Sequence, residues 1–466
     1  MKKLSFLMIA LFLGTLAFAQ SADQASKEKK AVDQYGNKVD VKDVFASERD
    51  GILVFESKDK EYKFWFDSRV QVDFANYWGE QSWADNIGDG ASIRRARFAV
   101  KAQITPQWYG EVDMELANGS FELKDAIVRY TGVKNMQFSV GSQKPDFSMS
   151  RNTSSRYLEF MERPMVVSAF SPSRHLGLFA KYANNLLFVS GSILFQEIEG
   201  QETRDFVEDN NKSYGMDEGI SYVGKIVLRP INDTDFGIHI GGAMMFDTPK
   251  TSDEMGAYAG TRFSCRNATN INRKKYIDTD DIKNTDHNLI STVELAGHYD
   301  GLRIESAWMA DKTYMKKETG IDKPYFFQGW YVECGYLLFG GKQSYDAGGA
   351  KFNRARNGRS WGDIELALKY EYLDMNDYKD RGKDAIYGGS AELYGAGLNF
   401  YFGKNVKIAL NYQYVNNDRY ANGKGKLYVG LDANGNPTKD YTKVSAKDGD
   451  AGVNYHMLLG RFQIAF

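Results

Sequence analysis

Cysteine is almost absent: the 466 residues hold two, Cys265 and Cys334. Two cysteines build neither a disulfide framework nor a zinc site. Cys334 falls inside a strand pattern, so both are expected as free thiols. Histidine is scarce as well, at five. His175, His239, His287, His298 and His456 never stand at ligand spacing with a carboxylate between them. Long apolar runs are missing beyond the extreme N-terminus, which excludes a helical membrane protein needing runs of about 20 residues. A basic excess is missing too: 59 Lys and Arg face 61 Asp and Glu, and a nucleic-acid partner would want the opposite balance. No P-loop, GxSxG or dinucleotide fingerprint occurs. Asp278, Asp280 and Asp281 lack the glycine and the twelfth-position Glu of a calcium loop, and residues 432–436 fail in the same way. No enzyme, cofactor or metal is expected.

Aromatics are abundant: 29 Tyr, 29 Phe and 7 Trp, 14% of the chain, against an apolar share of 42%. Disordered chains lack aromatics, and ordinary soluble globules rarely combine so many with so polar a composition. A closed β-barrel can use one fold for a chain of this length.

The N-terminus points to export. Lys2 and Lys3 precede an apolar stretch at 4–18, and Ala17-Phe18-Ala19 is a small-x-small boundary. Residues 1–19 read as a secretory signal peptide cleaved near Ala19. Its removal leaves 57 basic residues against 61 acidic, a net charge of −4. Residues 20–60 read as a polar, mobile periplasmic segment, with a short strand expected at 52–55. Residues 61–466 read as one barrel domain.

Period two dominates that domain. Tyr62, Phe64, Phe66, Val70, Val72 and Phe74 share one face; Lys63, Asp67, Arg69, Gln71 and Asp73 share the other. The run exceeds a dozen residues, nearer a tilted membrane strand than a soluble one. Similar segments follow near 92–104, 107–117, 121–131, 135–144, 176–184, 185–197, 218–229 and 235–246. Others lie near 287–299, 300–311, 326–340, 361–374, 390–402, 405–416 and 453–466. The count is sixteen, and an even count puts both termini on one side. Tight turns at 105–106, 184–185, 300–301 and 403–405 alternate with long polar loops near 78–91, 145–175, 197–217, 247–286, 312–325, 375–389 and 417–452. Two connectors break the alternation: 341–360 is long on the short-turn side, and 118–120 is short on the other.

Aromatics gather at strand ends, among them Tyr62, Tyr77, Trp78, Trp108, Tyr130, Tyr299, Phe400 and Phe402. Two aromatic rims suit membrane interfaces. The chain stops on Phe466 at the end of an alternating strand, an expected address for the barrel-assembly machinery. The fold expected is an all-β transmembrane antiparallel barrel in the outer membrane of a Gram-negative bacterium.

The chain resembles the phosphate-selective porin O and P family. The matching stretches lie in order: DGILVFESKDKEYKFWFDSRVQVDFANY, SIRRARF, LKDAIVRY, GSQKPDFS, TSSRYLEFMERP, SRHLGL, FQGWYVECGYLLFGG, WGDIELALKYEYLD, LNFYFGKNVKIALNYQY and GRFQIAF. The resemblance implies a sixteen-stranded, usually trimeric diffusion channel for small hydrophilic solutes, with outer-membrane lipid around it. It also implies a third long loop folded inward as the constriction. That loop carries Lys144, Arg151, Arg156, Arg163 and Arg174 against Asp146, Glu159 and Glu162, an excess of two positive charges. By motif position, Arg151, Ser154, Ser155 and Arg163 would form the anion site, with Asp125 as an acidic partner and Arg94 and Arg95 lining the route. Arg97 and Lys101 share the lumen face. Arginine suits the task because its planar donor fork meets oxyanions bidentately. The same face also carries Asp67, Asp73, Glu111, Asp113, Glu115, Glu365 and Glu371, a departure from a purely anion-selective lumen.

Two rival readings come from other classes. An outer-membrane hydrolase predicts a smaller barrel with Ser or Asp beside His at its rim. An adhesin or receptor predicts a filled barrel working through its long loops. A TonB-dependent transporter would need a plug and 22 strands.

Overall fold

A computed structural model describes residues 31–119, 121–197, 219–249, 251–252, 257–258, 260–418, 427–445 and 452–466. The expected leader at 1–19, with its boundary at Ala19, lies outside them. The chain divides into two compact units, up to Phe45 and from Ala46 onward. In the first, Ala31–Val32 pairs with Lys38–Val39.

The second unit is a closed antiparallel barrel of sixteen strands. They are β1 (Lys63–Trp78), β2 (Gly90–Thr105), β3 (Trp108–Glu115), β4 (Glu122–Tyr130), β5 (Met136–Gln143), β6 (His175–Ala183), β7 (Leu187–Glu197) and β8 (Ser221–Asn232). Then follow β9 (Phe236–Asp247), β10 (Thr285–Tyr299), β11 (Leu302–Met315), β12 (Tyr325–Leu337), β13 (Gly362–Asp377), β14 (Ile386–Phe402), β15 (Val406–Asp418) and β16 (Tyr455–Ala465). Each pairs with its sequence neighbour, and β16 closes on β1 with Arg461 opposite Asp73 and Gln463 opposite Gln71. Every expected strand is present. The short strand Ile52–Ser57, expected at 52–55, pairs with the start of β1.

Closure follows from the alternation. A bilayer supplies no partner for peptide groups, so only a sheet without edges can cross with strands. Val70, Phe74, Val140, Leu178, Leu366 and Leu458 are exposed, while Gln71, Asp73, Glu294, Glu365 and Asn411 are buried. That inversion is the reverse of a water-soluble globule. Aromatic pairs mark strand ends, such as Trp108 with Tyr130 at 4.8 Å and Phe236 with Tyr299 at 6.1 Å.

The third long loop, 144–174, folds into the barrel. It carries two short helices, α1 (Met149–Asn152) and α2 (Met165–Phe170). Met165, Val166, Val167 and Phe170 of α2 pack with Phe263 and Ile277 of the fifth long loop and with Met309, Phe327 and Leu373 of the wall. Part of the lumen is therefore packed and dry. The unusual connector 341–360 also turns inward. Its Phe352 packs against Met149 and Ala296, its Ala350 against Phe188 and Val227, and its Ala347 carbonyl accepts from Arg229 Nη1 at 2.6 Å.

Candidate functional site

The water-bearing part of the lumen is a groove beside β1–β4. A cavity of about 550 Å³ is lined there by fourteen Lys and Arg side chains and six Asp and Glu, an excess of eight positive charges. Its lining comes from the wall, the third long loop, Arg266 and Arg273 of the fifth, and Lys351 of the 341–360 connector. Residues from both ends of the barrel thus meet one cavity.

Local irregularities aim the charges. In β2 the pairing shifts between Gln71–Arg95 and Val72–Ile93, leaving Arg94 as an extra residue. A bulge of this kind re-aims a side chain without disturbing the register on either side. Arg94, Arg95 and Arg97 therefore all face inward, where strict alternation would send Arg94 to the lipid. Arg94 makes a two-pronged contact with Glu162 of the third long loop, at 2.6 and 3.0 Å. Arg95 donates to Gln71 Oε1 at 2.8 Å, and Arg97 to Glu115 at 2.9 Å. A second shift, between β3 and β4, sets Lys124 and Asp125 against Asp113 alone. Asp125 then accepts both prongs of Arg174, at 3.0 and 2.8 Å.

The loop residues expected at the constriction all reach this cavity. Lys144 Nζ donates to the Arg151 carbonyl at 3.0 Å, and Arg151 Nε to the Pro172 carbonyl at 3.2 Å. Arg163 holds the turn of the loop by donating to the carbonyls of Ser150 and Thr153 at 2.8 and 2.6 Å. Arg156 pairs with Asp67, which Lys101 also meets at 2.7 Å. Burial is the largest influence on Lys144; with Arg163, Arg174 and Arg151 beside it, its ammonium is held well below the ordinary lysine range. Burial alone would raise the Glu162 carboxyl, but Arg94 outweighs it and holds that group well below the usual carboxylate range.

Several lining residues were not singled out from the sequence. Arg69 donates to Ser154 Oγ and Ser155 Oγ, both at 3.2 Å. Its place on the polar face of β1 was legible, but its contact with the loop hydroxyls was not. Lys124, Arg266, Arg273 and Lys351 complete the basic set. The last three lie in connectors, where no periodicity says which side chain turns inward. The Nε atoms of Arg69 and Arg156 are buried donors without a hydrogen-bond partner. The acidic residues of the lumen face are engaged: Asp73 by Arg461 at 2.6 Å, Glu371 by Lys369 at 2.5 Å, and Glu365 by Gln343 and Asn399, both at 2.9 Å. Arg262 reaches Asp278 at 2.5 Å and stands within 3.7 Å of Asp280 and Asp281. Phe466 is exposed, and its carbonyl accepts from Ser68 N–H at 2.6 Å. Both cysteines are free.

An apolar exterior, a charged lumen and an inward-folded loop on sixteen closed strands define a porin, a channel of the outer membrane. The chain belongs to the phosphate-selective porin O and P family, whose pattern matches residues 64–437. It is 28% identical over 371 residues to an uncharacterized protein of Caulobacter vibrioides, covering 77% of this chain and 69% of that one. It is 23% identical over 399 residues to Porin O of Pseudomonas aeruginosa, covering 80% and 88%. Among solved structures, the anion-selective porin from Comamonas acidovorans superposes with a TM-score of 0.49 at 10% identity, covering 87% of this chain and all of that one.

Proposed function

We propose that this outer-membrane channel prefers anions and binds phosphate-like oxyanions in the groove beside β1–β4. The observation that carries the reading is the excess of eight positive charges around a single cavity. A low-dielectric wall focuses the field of such a cluster and raises the local anion concentration. Arg69, Ser154, Ser155 and Arg156 are the residues assigned to the anion, because two hydroxyls and two unpartnered Nε donors meet there. Arg151, Arg163 and Lys144 shape the loop and add charge. Arg94, Arg95, Arg97, Lys101, Arg174 and Asp125 line the route.

The test is chloride current through single channels as inorganic phosphate is added. Saturable block that weakens in Arg156→Gln supports the site. Equal currents with and without phosphate would leave general anion diffusion and no site.

The same reading covers processing and assembly. Residues 1–19 are a leader removed near Ala19, residues 20–60 are a periplasmic segment, and Phe466 ends the strand that the assembly machinery reads. The barrel works as a homotrimer within outer-membrane lipid. Support for association is the low wall of β3–β6, strands of eight or nine residues against sixteen in β1, β2 and β13. Eight tilted residues rise only about 20 Å, less than the roughly 25 Å apolar band of such barrels. A second copy covers what the strands leave short. The adhesin reading predicts a filled barrel, and it loses ground because a basic cavity of about 550 Å³ stays open beside the inward-folded loops.

A further inference from the structure

Residues 153–164 cross the lumen between the two loop helices without forming a strand or helix. Tyr157 N–H donates to the Ser154 carbonyl at 2.9 Å, but an irregular stretch leaves most of its peptide groups without such a partner, and a buried unpaired peptide group is costly. The wall satisfies them one after another. The carbonyls of Ser155, Arg156, Tyr157, Leu158 and Glu159 accept from the side chains of Gln71, Gln463, Arg303, Lys407 and Asn399, at 3.2, 3.3, 3.0, 2.7 and 2.8 Å. Met161 is held at both ends of its peptide: its N–H donates to Asn411 Oδ1 at 2.9 Å, and its carbonyl accepts from Arg461 Nη1 at 2.6 Å. The first N–H groups of the loop helices also meet wall carboxylates. Met149 N–H donates to Glu294 at 2.9 Å, and Met165 N–H to Glu371 at 2.7 Å. The wall partners are buried, Asn399 and Asn411 completely so.

We propose that these wall side chains are positioning residues of the channel. They hold the third long loop as a fixed strut and confine the solute path to the basic groove. Selectivity then depends on neutral residues that never meet the solute. This rests on the reading of that loop as the constriction. Arg303, Lys407 and Arg461 are engaged by loop carbonyls, so their role differs from that of the arginines in the groove. Seven contacts over the seven residues 155–161 make the loop static, because all must break together for it to swing.

The experiment records reversal potential in a KCl gradient and the frequency of brief current interruptions. The proteins compared are the wild type, Asn411→Leu, Asn411→Asp and Arg156→Gln. Each must first show the heat-dependent gel shift of a folded barrel. Loss of one buried hydrogen bond shifts the ratio of docked to undocked loop roughly fivefold. Asn411→Leu is expected to raise interruptions by about that factor and to weaken anion preference. Asn411→Asp keeps the oxygen that accepts from Met161 N–H and should not add interruptions. Arg156→Gln should weaken anion preference without adding interruptions. If Arg156→Gln matters and Asn411→Leu does not, the positioning role is overturned and the constriction stands. If neither changes selectivity, the constriction itself is misassigned, and the inference fails with it. Asn399→Leu, which removes the neighbouring donor, replaces Asn411→Leu if that variant does not fold, and the same outcomes decide.

Discussion

At the scale of single residues, the groove works by crowding like charges in a partly dry space. Most of the guanidiniums find a carbonyl, hydroxyl or carboxylate, but the set as a whole keeps its positive excess. Lys144 and Lys351 are the lysines of the groove whose ammonium groups burial pushes down. Burial and three neighbouring arginines lower the Lys144 ammonium well below the ordinary lysine range, so its charge disappears as pH rises through that lowered value. Anion preference should therefore fall as pH rises through a value below the ordinary lysine range, and recover on return. Lys144→Met should start lower and fall less as pH rises. A fall as large in the variant as in the wild type would contradict the assignment. The identity of these residues was largely legible in the sequence, since Lys and Arg cluster in the third long loop and on β2. Their engagement was not, because Arg163 meets the carbonyls of Ser150 and Thr153, and Arg461 meets Asp73 and the Met161 carbonyl, contacts that only the folded loop brings together.

At the scale of elements, period two located all sixteen strands, and turn lengths alternated except at 118–120 and 341–360. Alternation could not reveal the bulge at Arg94, because the extra residue is visible only against its partner strand. Nor could it reveal that connector 341–360 enters the lumen. That segment has no repeating face, and its burial depends on Phe352 meeting α1 across the barrel. The bulge carries a sharp prediction. Deleting Arg94 joins two stretches whose register is already regular, so the barrel should fold and insert. Deleting Ala96, two residues on, turns one side of β2 inside out, because a one-residue slip exchanges the faces of a strand. The heat-dependent gel shift should survive the first deletion and vanish in the second. Loss of the shift in both would mean that the extra residue is needed for folding and not only for aiming charge.

At the scale of the whole molecule, the wall is uneven. The low strands β3–β6 continue into a shallow dent where Ala180, Gly191 and Gly224 face each other across three strands. A side chain built at Gly191 or Gly224 would meet open space. Gly191→Trp fills the dent without touching the lumen. It should shift the unheated protein on a gel from oligomer to monomer, while Leu366→Trp on the high wall should not. Unchanged migration of Gly191→Trp would place the subunit contact elsewhere. The charge of the molecule is uneven as well. Net charge near zero hid a lumen that gathers basic residues on one side and ties its carboxylates to wall cations, loop N–H groups and amides on the other. A pore is selected by its narrowest ring and not by its average, which is why composition alone was silent about the sign. The most direct measurement is the zero-current potential of the purified protein in a planar bilayer separating concentrated from dilute KCl. The groove predicts a stable, ohmic conductance with a potential of the sign set by chloride. A potential of the sign set by potassium, or no conductance from folded protein, would contradict it.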